Sequence, residues 1–264
     1  VNMLRTQTEA MSASLGGVDS LSVLPYDITY KNADDFSERI ARNQQLLLKE
    51  ESHLDKVADP AAGSYYIETL TKELAAQAWK LFLEVEELGG FYTAISQGFV
   101  QKAIKATATN RLKSVSSRRE VLLGTNQFPN FSEFSGLKPS DLEIIKMNQD
   151  SAIETLNPVR AAQEFEVLRF TTESAAKRPK AFMLTIGNLN MRLARAQFSC
   201  NFFACAGYEV VDNLGFKTIE EGVAAAEKVK ADIIVLCSSD EEYAEFAPAA
   251  YEATKSKCIL VVAG

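Results

Sequence analysis

The last third of the chain predicts a doubly wound parallel α/β sheet, and two observations carry that prediction. Four apolar stretches, Ala181–Ile186, Tyr208–Val211, Asp232–Leu236 and Cys258–Val262, begin at residues 181, 208, 232 and 258, so their starts lie 27, 24 and 26 residues apart. A helix-length stretch of mixed polarity separates each pair, and that alternation is the βαβ signature of a parallel sheet. Helix starts then fall where the strands predict them. Thr218 is followed three residues later by Glu221, and Ser239 by Glu242. Both are capping-box patterns placed shortly after a strand ends, so two levels of the sequence agree.

In such sheets ligands bind outside the carboxyl ends of the strands, which makes the loop after the first strand the place to look for function. That loop reads Gly187-Asn188-Leu189-Asn190-Met191-Arg192-Leu193-Ala194-Arg195. It has no histidine, no glycine-rich phosphate turn and no acidic cluster.

The residues before the sheet predict helices. A helix over 2–15, with Leu4, Ala10, Met11 and Leu15 apolar, stops at Gly16-Gly17. A short strand is expected at Ser20–Leu24, ended by Pro25. Asp34 or Asp35 caps a helix running to about Ser52, with Phe36, Ile40, Leu46 and Leu47 on its inner side. Asp59-Pro60-Ala61-Ala62-Gly63-Ser64 is turn chemistry. A helix over about 69–88 places Leu70, Leu74, Ala78, Leu81, Val85 and Leu88 at spacings of three and four, and Gly89-Gly90 end it. One further helix is expected from Phe91 to about Lys105.

Residues 110–156 change character. They hold Arg118-Arg119, Gly124, Pro129, Gly136 and Pro139 with little periodicity, and read as a long wrapping linker with one extended piece at Glu120–Leu123. Asn157 and Pro158 suit the N-cap and first position of a helix ending near Glu173. Ser174–Lys180 is a polar, basic hinge. The expected organisation is therefore 1–109, a linker over 110–179, and the sheet domain over 180–264.

Composition narrows the partners. Of 264 residues 47% are hydrophobic, enough for a sizeable core. The net charge is −7, from 28 basic and 35 acidic residues, with no basic block, which argues against nucleic acid. No apolar run approaches a membrane span, and the first residues lack a signal-peptide pattern. The chain starts at Val1 rather than Met and stops within its last strand, so it is expected to be a piece of a longer protein. Cys200 and Cys205 lie five apart on one helix, on different faces, while Cys237 ends a strand and Cys258 begins one. No Cys-x-x-Cys spacing exists, so no metal is expected and the thiols read as small buried residues of a reducing compartment.

Several runs resemble the late barrel of the methylmalonyl-CoA mutases. They are Asn2-Met3-Leu4-Arg5-Thr6-Gln7-Thr8-Glu9-Ala10, Leu15-Gly16-Gly17, Phe36-Ser37-Glu38-Arg39-Ile40-Ala41-Arg42-Asn43-Gln44, Asp59–Tyr66 and Leu123-Gly124-Thr125-Asn126. Together they span most of residues 1–165, and residues 180–264 are similar to that family's cobalamin-binding domain, truncated before its last strand. The resemblance implies an architecture: the C-terminal part of a (β/α)8 barrel that holds acyl-CoA, a helical linker, and a flavodoxin-like cobalamin domain. It also implies a reaction, the adenosylcobalamin-dependent radical interconversion of methylmalonyl-CoA and succinyl-CoA.

Catalytic chains of that family carry Asp-x-His-x-x-Gly in the first loop of the cobalamin domain. The imidazole ligates cobalt, the carboxylate orients it, and the glycine clears a path for the cofactor's tail. Aligned backwards from Gly207-Tyr208-Glu209-Val210-Val211 without gaps, this chain has Asn190 for the Asp, Arg192 for the His and Arg195 for the Gly. Arginine keeps its proton and cannot ligate a metal. Ser238 and Ser239, opposite that loop, match the family's Ser-Ser-Leu, but Asp240 stands at the Leu position. The barrel strand that reads Ser-Leu-His-Thr in catalytic chains reads Ser20-Leu21-Ser22-Val23 here. His53, the single histidine, matches neither motif and reads as a helix-terminus or surface residue.

These departures resemble the non-catalytic chain of the heterodimeric mutases. The expectation is a cytoplasmic chain with no catalytic and no cofactor-binding residues, which stabilises a catalytic large subunit that binds the adenosylcobalamin. One alternative is a catalytic chain with an unusual cobalamin mode. Another is a non-enzymatic flavodoxin-like module, although paired acids or a Ser/Thr-rich phosphate loop after the first strand are missing. Arg192 and Arg195 either fill the vacated tail site as ion pairs, bind a phosphate, or form a solvated helix face.

Overall fold

The computed structural model describes residues 1–134, 153–156, 159–254 and 258–264. They form two compact units: residues 1–109 with 153–156 and 159–160, and residues 110–134 with 161–254 and 258–264. Gly136, Pro139, Asn157 and Pro158 lie outside the described residues.

The second unit is built on a parallel sheet of four strands: β1 (Lys180–Thr185), β2 (Glu209–Val211), β3 (Ile233–Cys237) and β4 (Ile259–Val262), in the order β2-β1-β3-β4. Each boundary lies within about a residue of the sequence expectation. The register sets Ala181 beside Ile233 and Ile233 beside Ile259. Side chains alternate with the strand period of two. Phe182, Leu184, Ile186, Ile234 and Leu236 pack on one face with α8 (Ile219–Lys228) and α9 (Tyr243–Thr254). Ala181, Met183, Ile233, Val235 and Cys237 pack on the other with α7 (Leu189–Cys205). Met183, Leu184 and Leu236 are wholly buried, as central parallel strands covered on both faces must be. The Cys200, Cys205 and Cys237 thiols are free and buried, and Cys258 is half-buried. Burial pushes the Cys200 and Cys237 thiols up to about 12.

α6 spans Gln163–Glu173, with Ala162 at its N-cap. Glu120–Leu123 does not form a strand; only Leu123 bridges to Gln127. The wholly buried Asn126 satisfies this turn, accepting from the Leu122 amide and donating to the carbonyls of Val115 and Glu120.

The first unit is helical. α1 spans Asn2–Leu15 and α2 Asp35–Leu46, extended by a π-helical turn over Leu47–Glu51. Asp34 caps α2 through a reciprocal pair of bonds with Ser37. The expected inner face of α2 is corrected: Phe36, Leu46 and Leu47 are exposed, and Ser37, Ala41, Gln44 and Leu48 are buried. Small residues let α1 and α2 approach, and Gln44 Nε2 donates to the Met3 carbonyl and the Thr6 hydroxyl. Polar satisfaction and close approach here outrank the apolar stripe.

α3 runs from Tyr65 to Glu87 and buries none of its residues, although Leu70, Leu74, Ala78, Leu81, Val85 and Leu88 keep the expected helical spacing. The helix expected from Phe91 to Lys105 is two: α4 (Phe91–Ser96) and α5 (Phe99–Ser116), broken at Gly98, whose φ of +76° no helix accepts. Ser20–Leu24 has no regular secondary structure and pairs with no strand among the described residues. The described residues of the first unit therefore contain no strand of the expected barrel. His53 is exposed just past the π-helical turn, with φ +54°. No described helix is long and apolar enough to cross a membrane.

Candidate functional site

Connections from β1 leave in opposite directions, to β2 on one side and, through β2 and α8, to β3 on the other. The crevice between the carboxyl ends of β1 and β3 is thus the topological switch point, where open α/β sheets bind ligands. Three loops border it: 186–188 after β1, 212–218 after β2 and 238–242 after β3.

Every group expected there by sequence is now placed. Asn190 is exposed on the first turn of α7. Arg192 turns back from α7: Nη1 donates to the Gly187 carbonyl at 3.1 Å and Nη2 to the Leu214 carbonyl at 3.2 Å. Its guanidinium lies flat on Gly215 (φ +118°), where an added Cβ would sit 2.8 Å from Cζ. Arg195, one helical turn on, reaches the opposite way. Nη1 donates to the Ala263 carbonyl at 2.5 Å and Nη2 to Asp240 Oδ1 at 2.6 Å, and the guanidinium lies 5.4 Å from the Tyr243 ring centre. The two arginines share a helix but neither a partner nor a role, and neither is a solvated face: the Arg195 side chain is only 14% exposed.

Ser238 and Ser239 are buried and meet Glu242. Glu242 Oε2 accepts from Ser238 Oγ at 2.6 Å, Ser239 Oγ at 2.8 Å, the Ser239 amide at 3.2 Å and the Asn188 amide at 3.0 Å. The carboxylate therefore spans the crevice, tying the loop after β3 to the loop after β1. These donors, the Ser238 hydroxyl first, hold the Glu242 carboxyl down at about 2. Tyr243 completes the wall. Its hydroxyl accepts from the Ser238 amide at 3.0 Å and also lies in hydrogen-bond contact with the Ala263 carbonyl. Burial raises its phenol.

Two residues that sequence reasoning did not single out for the site matter here. Glu242 figured only as a capping partner, although the local run Ser-Ser-x-x-Glu was the available signal. Asn213 had no such signal. It accepts from Thr185 Oγ1 at 2.6 Å and from the Gly215 amide at 3.0 Å, fixing the loop on which Arg192 rests. Among the described residues, no group of three or more His, Cys, Asp or Glu side chains could hold a metal ion.

Residues 1–197 match the family model described as methylmalonyl-CoA mutase. The chain is 60% identical over 270 residues to the methylmalonyl-CoA mutase small subunit of Porphyromonas gingivalis, covering 100% of this chain and 43% of that protein. It is 38% identical to the small subunit of Streptomyces virginiae over 97% of this chain and 41% of that protein. A protein of Rhizobium meliloti named methylmalonyl-CoA mutase is 48% identical over 127 residues, which is 48% of this chain and 18% of that protein. The chain thus spans about two fifths of the length of the small subunits it matches. Matched by the family model over its first 197 residues and by small subunits along nearly its whole length, the chain belongs to the methylmalonyl-CoA mutase family.

Proposed function

We propose that this chain is part of the small subunit of a heterodimeric, adenosylcobalamin-dependent methylmalonyl-CoA mutase. In this reading the subunit performs no chemistry itself. It stabilises a catalytic large subunit in the cytoplasm, and that partner binds the cofactor and interconverts methylmalonyl-CoA and succinyl-CoA. The names of the relatives support the assignment to a small subunit.

The observation that carries the non-catalytic reading is that the chain's own side chains fill the switch-point crevice. A cobalamin needs an imidazole under its metal and an open path for its tail. Arg192, bonded to two carbonyls, aligns with the family's histidine position, and Glu242 bridges the loops beside Gly187. The residues present do not suit the cofactor. Residues 1–109 then supply the late part of an acyl-CoA barrel with flanking helices, residues 110–179 the linker, and residues 180–264 the cobalamin-domain-like sheet. The exposed apolar residues of α3, Trp79 and Phe82 among them, accord with a unit that completes its packing against a larger body.

The test is a cobalamin titration followed by visible absorbance, on the full-length chain alone and mixed with its large subunit. Saturation only in the mixture, at one cofactor per pair, is expected. Saturation of the lone chain overturns the reading.

A further inference from the structure

We propose that the switch-point crevice is an oxyanion cradle whose occupant is the chain's own Glu242, an internal ligand that holds the crevice shut. The proposal deepens the functional reading above and rests on it for the statement that no external ligand takes this place. The capping box expected at Ser239 and Glu242 would account for one of the contacts, the Ser239 amide, but its reciprocal bond is not formed: α9 begins only at Tyr243, and the Ser239 hydroxyl donates to the Glu242 carboxylate. The others have no part in a helix cap: the Asn188 amide reaches across from the neighbouring strand's loop, and two serine hydroxyls approach at 2.6 and 2.8 Å. The two hydroxyls and the Ser239 amide meet Oε2, and the Asn188 amide is shared between Oε2 at 3.0 Å and Oε1 at 3.1 Å, so the donors of two loops gather around one carboxylate. Donors from two loops gathered on one carboxylate are what a bound oxyanion requires.

Backbone shape gives an independent indication. Gly187 has φ +76°, and a Cβ built on it would overlap the Glu242 carboxylate. The main chain therefore approaches the occupant as closely as glycine alone allows, as it does where backbone cradles a phosphate. Ser238 is wholly buried, and among the described residues its hydroxyl meets the carboxylate and the Ile186 carbonyl.

Glu242→Ala removes a methylene and a carboxylate, the skeleton of acetate. In the full-length chain, E242A is expected to melt at a lower temperature than wild type. Sodium acetate should raise that melting temperature well above the value in sodium chloride of equal ionic strength, because acetate binds the folded state. Wild type should respond equally to both salts, and Ser238→Ala in the E242A background should remove most of the acetate effect. Equal melting of E242A in acetate and chloride overturns the proposal. Should E242A not accumulate as folded protein, Glu242→Gln decides: the Asn188 and Ser239 amides are expected to exchange about tenfold faster than in wild type. Unchanged exchange overturns the proposal. Neither readout involves cobalamin, so failure here is distinguishable from failure of the non-catalytic reading.

Discussion

Removing Arg195 should cost far more than removing Asp240, although the two form an ion pair at 2.6 Å. The pair is lopsided: the Arg195 side chain is 14% exposed and that of Asp240 77%. Solvent screens an ion pair held on so exposed a carboxylate, so it contributes at most about 1 kcal/mol. The other contacts of Arg195 are sheltered. A charge-assisted bond to the Ala263 carbonyl is worth about 1.5–3 kcal/mol, and the approach to the Tyr243 ring about 0.5–1 kcal/mol. Against these stands Nε, buried without a partner, which offsets on the order of 1 kcal/mol. Arg195→Ala should therefore destabilise by about 1–4 kcal/mol, and Asp240→Ala by less than about 1 kcal/mol. Urea unfolding of the two variants and their double mutant measures all three quantities, and the cycle should return a coupling below about 1 kcal/mol. If Asp240→Ala costs as much as Arg195→Ala, the arginine acts through its salt bridge and not as a tie to the end of β4, and the reasoning fails.

Two further outcomes follow from the same unit. Gly222 lies on α8 against Leu184, and an added Cβ would stand 2.8 Å from Cγ of that wholly buried side chain. Gly222→Ala gains about 1 kcal/mol of helix propensity and loses about 1–3 kcal/mol to overpacking, so a net loss near 1 kcal/mol is expected. Its reversal to a gain in a Leu184→Ala background would confirm the cause, and a stabilising effect in the wild-type background would contradict it. Glu242 gives a pH signature. Its carboxyl is lowered from the ordinary 4.5 to about 2, first by the Ser238 hydroxyl, then by the Asn188 amide and Ser239. A folded-state value below the unfolded one means that the stabilisation is full above about 4.5 and disappears as pH falls towards 2. The stability difference between wild type and Glu242→Gln should shrink across that window, and a constant difference from pH 6 to 2.5 speaks against it.

Much of the sheet domain was legible because its signals are local. The strands show as apolar runs at a regular period, and Thr218 caps α8 by accepting from the Glu221 amide three residues on. Family motifs placed Arg192, Arg195, Ser238 and Ser239 at the switch point. What those side chains do there was not legible. Arg195 finds Ala263 across 68 residues and Asp240 across 45, and Asn188 finds Glu242 across 54. No periodicity encodes partners at that separation. The helical unit failed differently. Spacing marked the apolar stripe of α3, yet the helix buries nothing, and α2 turns inward a face of Ser37, Ala41 and Gln44 that hydropathy would place outside.

The sequence by itself determined the family, the parallel sheet and the lack of a histidine in the loop after β1, since each is written in residue identity or local period. Only the tertiary structure decided that Glu242 ties the loops after β1 and β3 together and that Arg192 and Arg195 are held by carbonyls. Those contacts depend on a carboxylate and two guanidiniums reaching donors and acceptors on other segments, and the sheet alone brings those segments together.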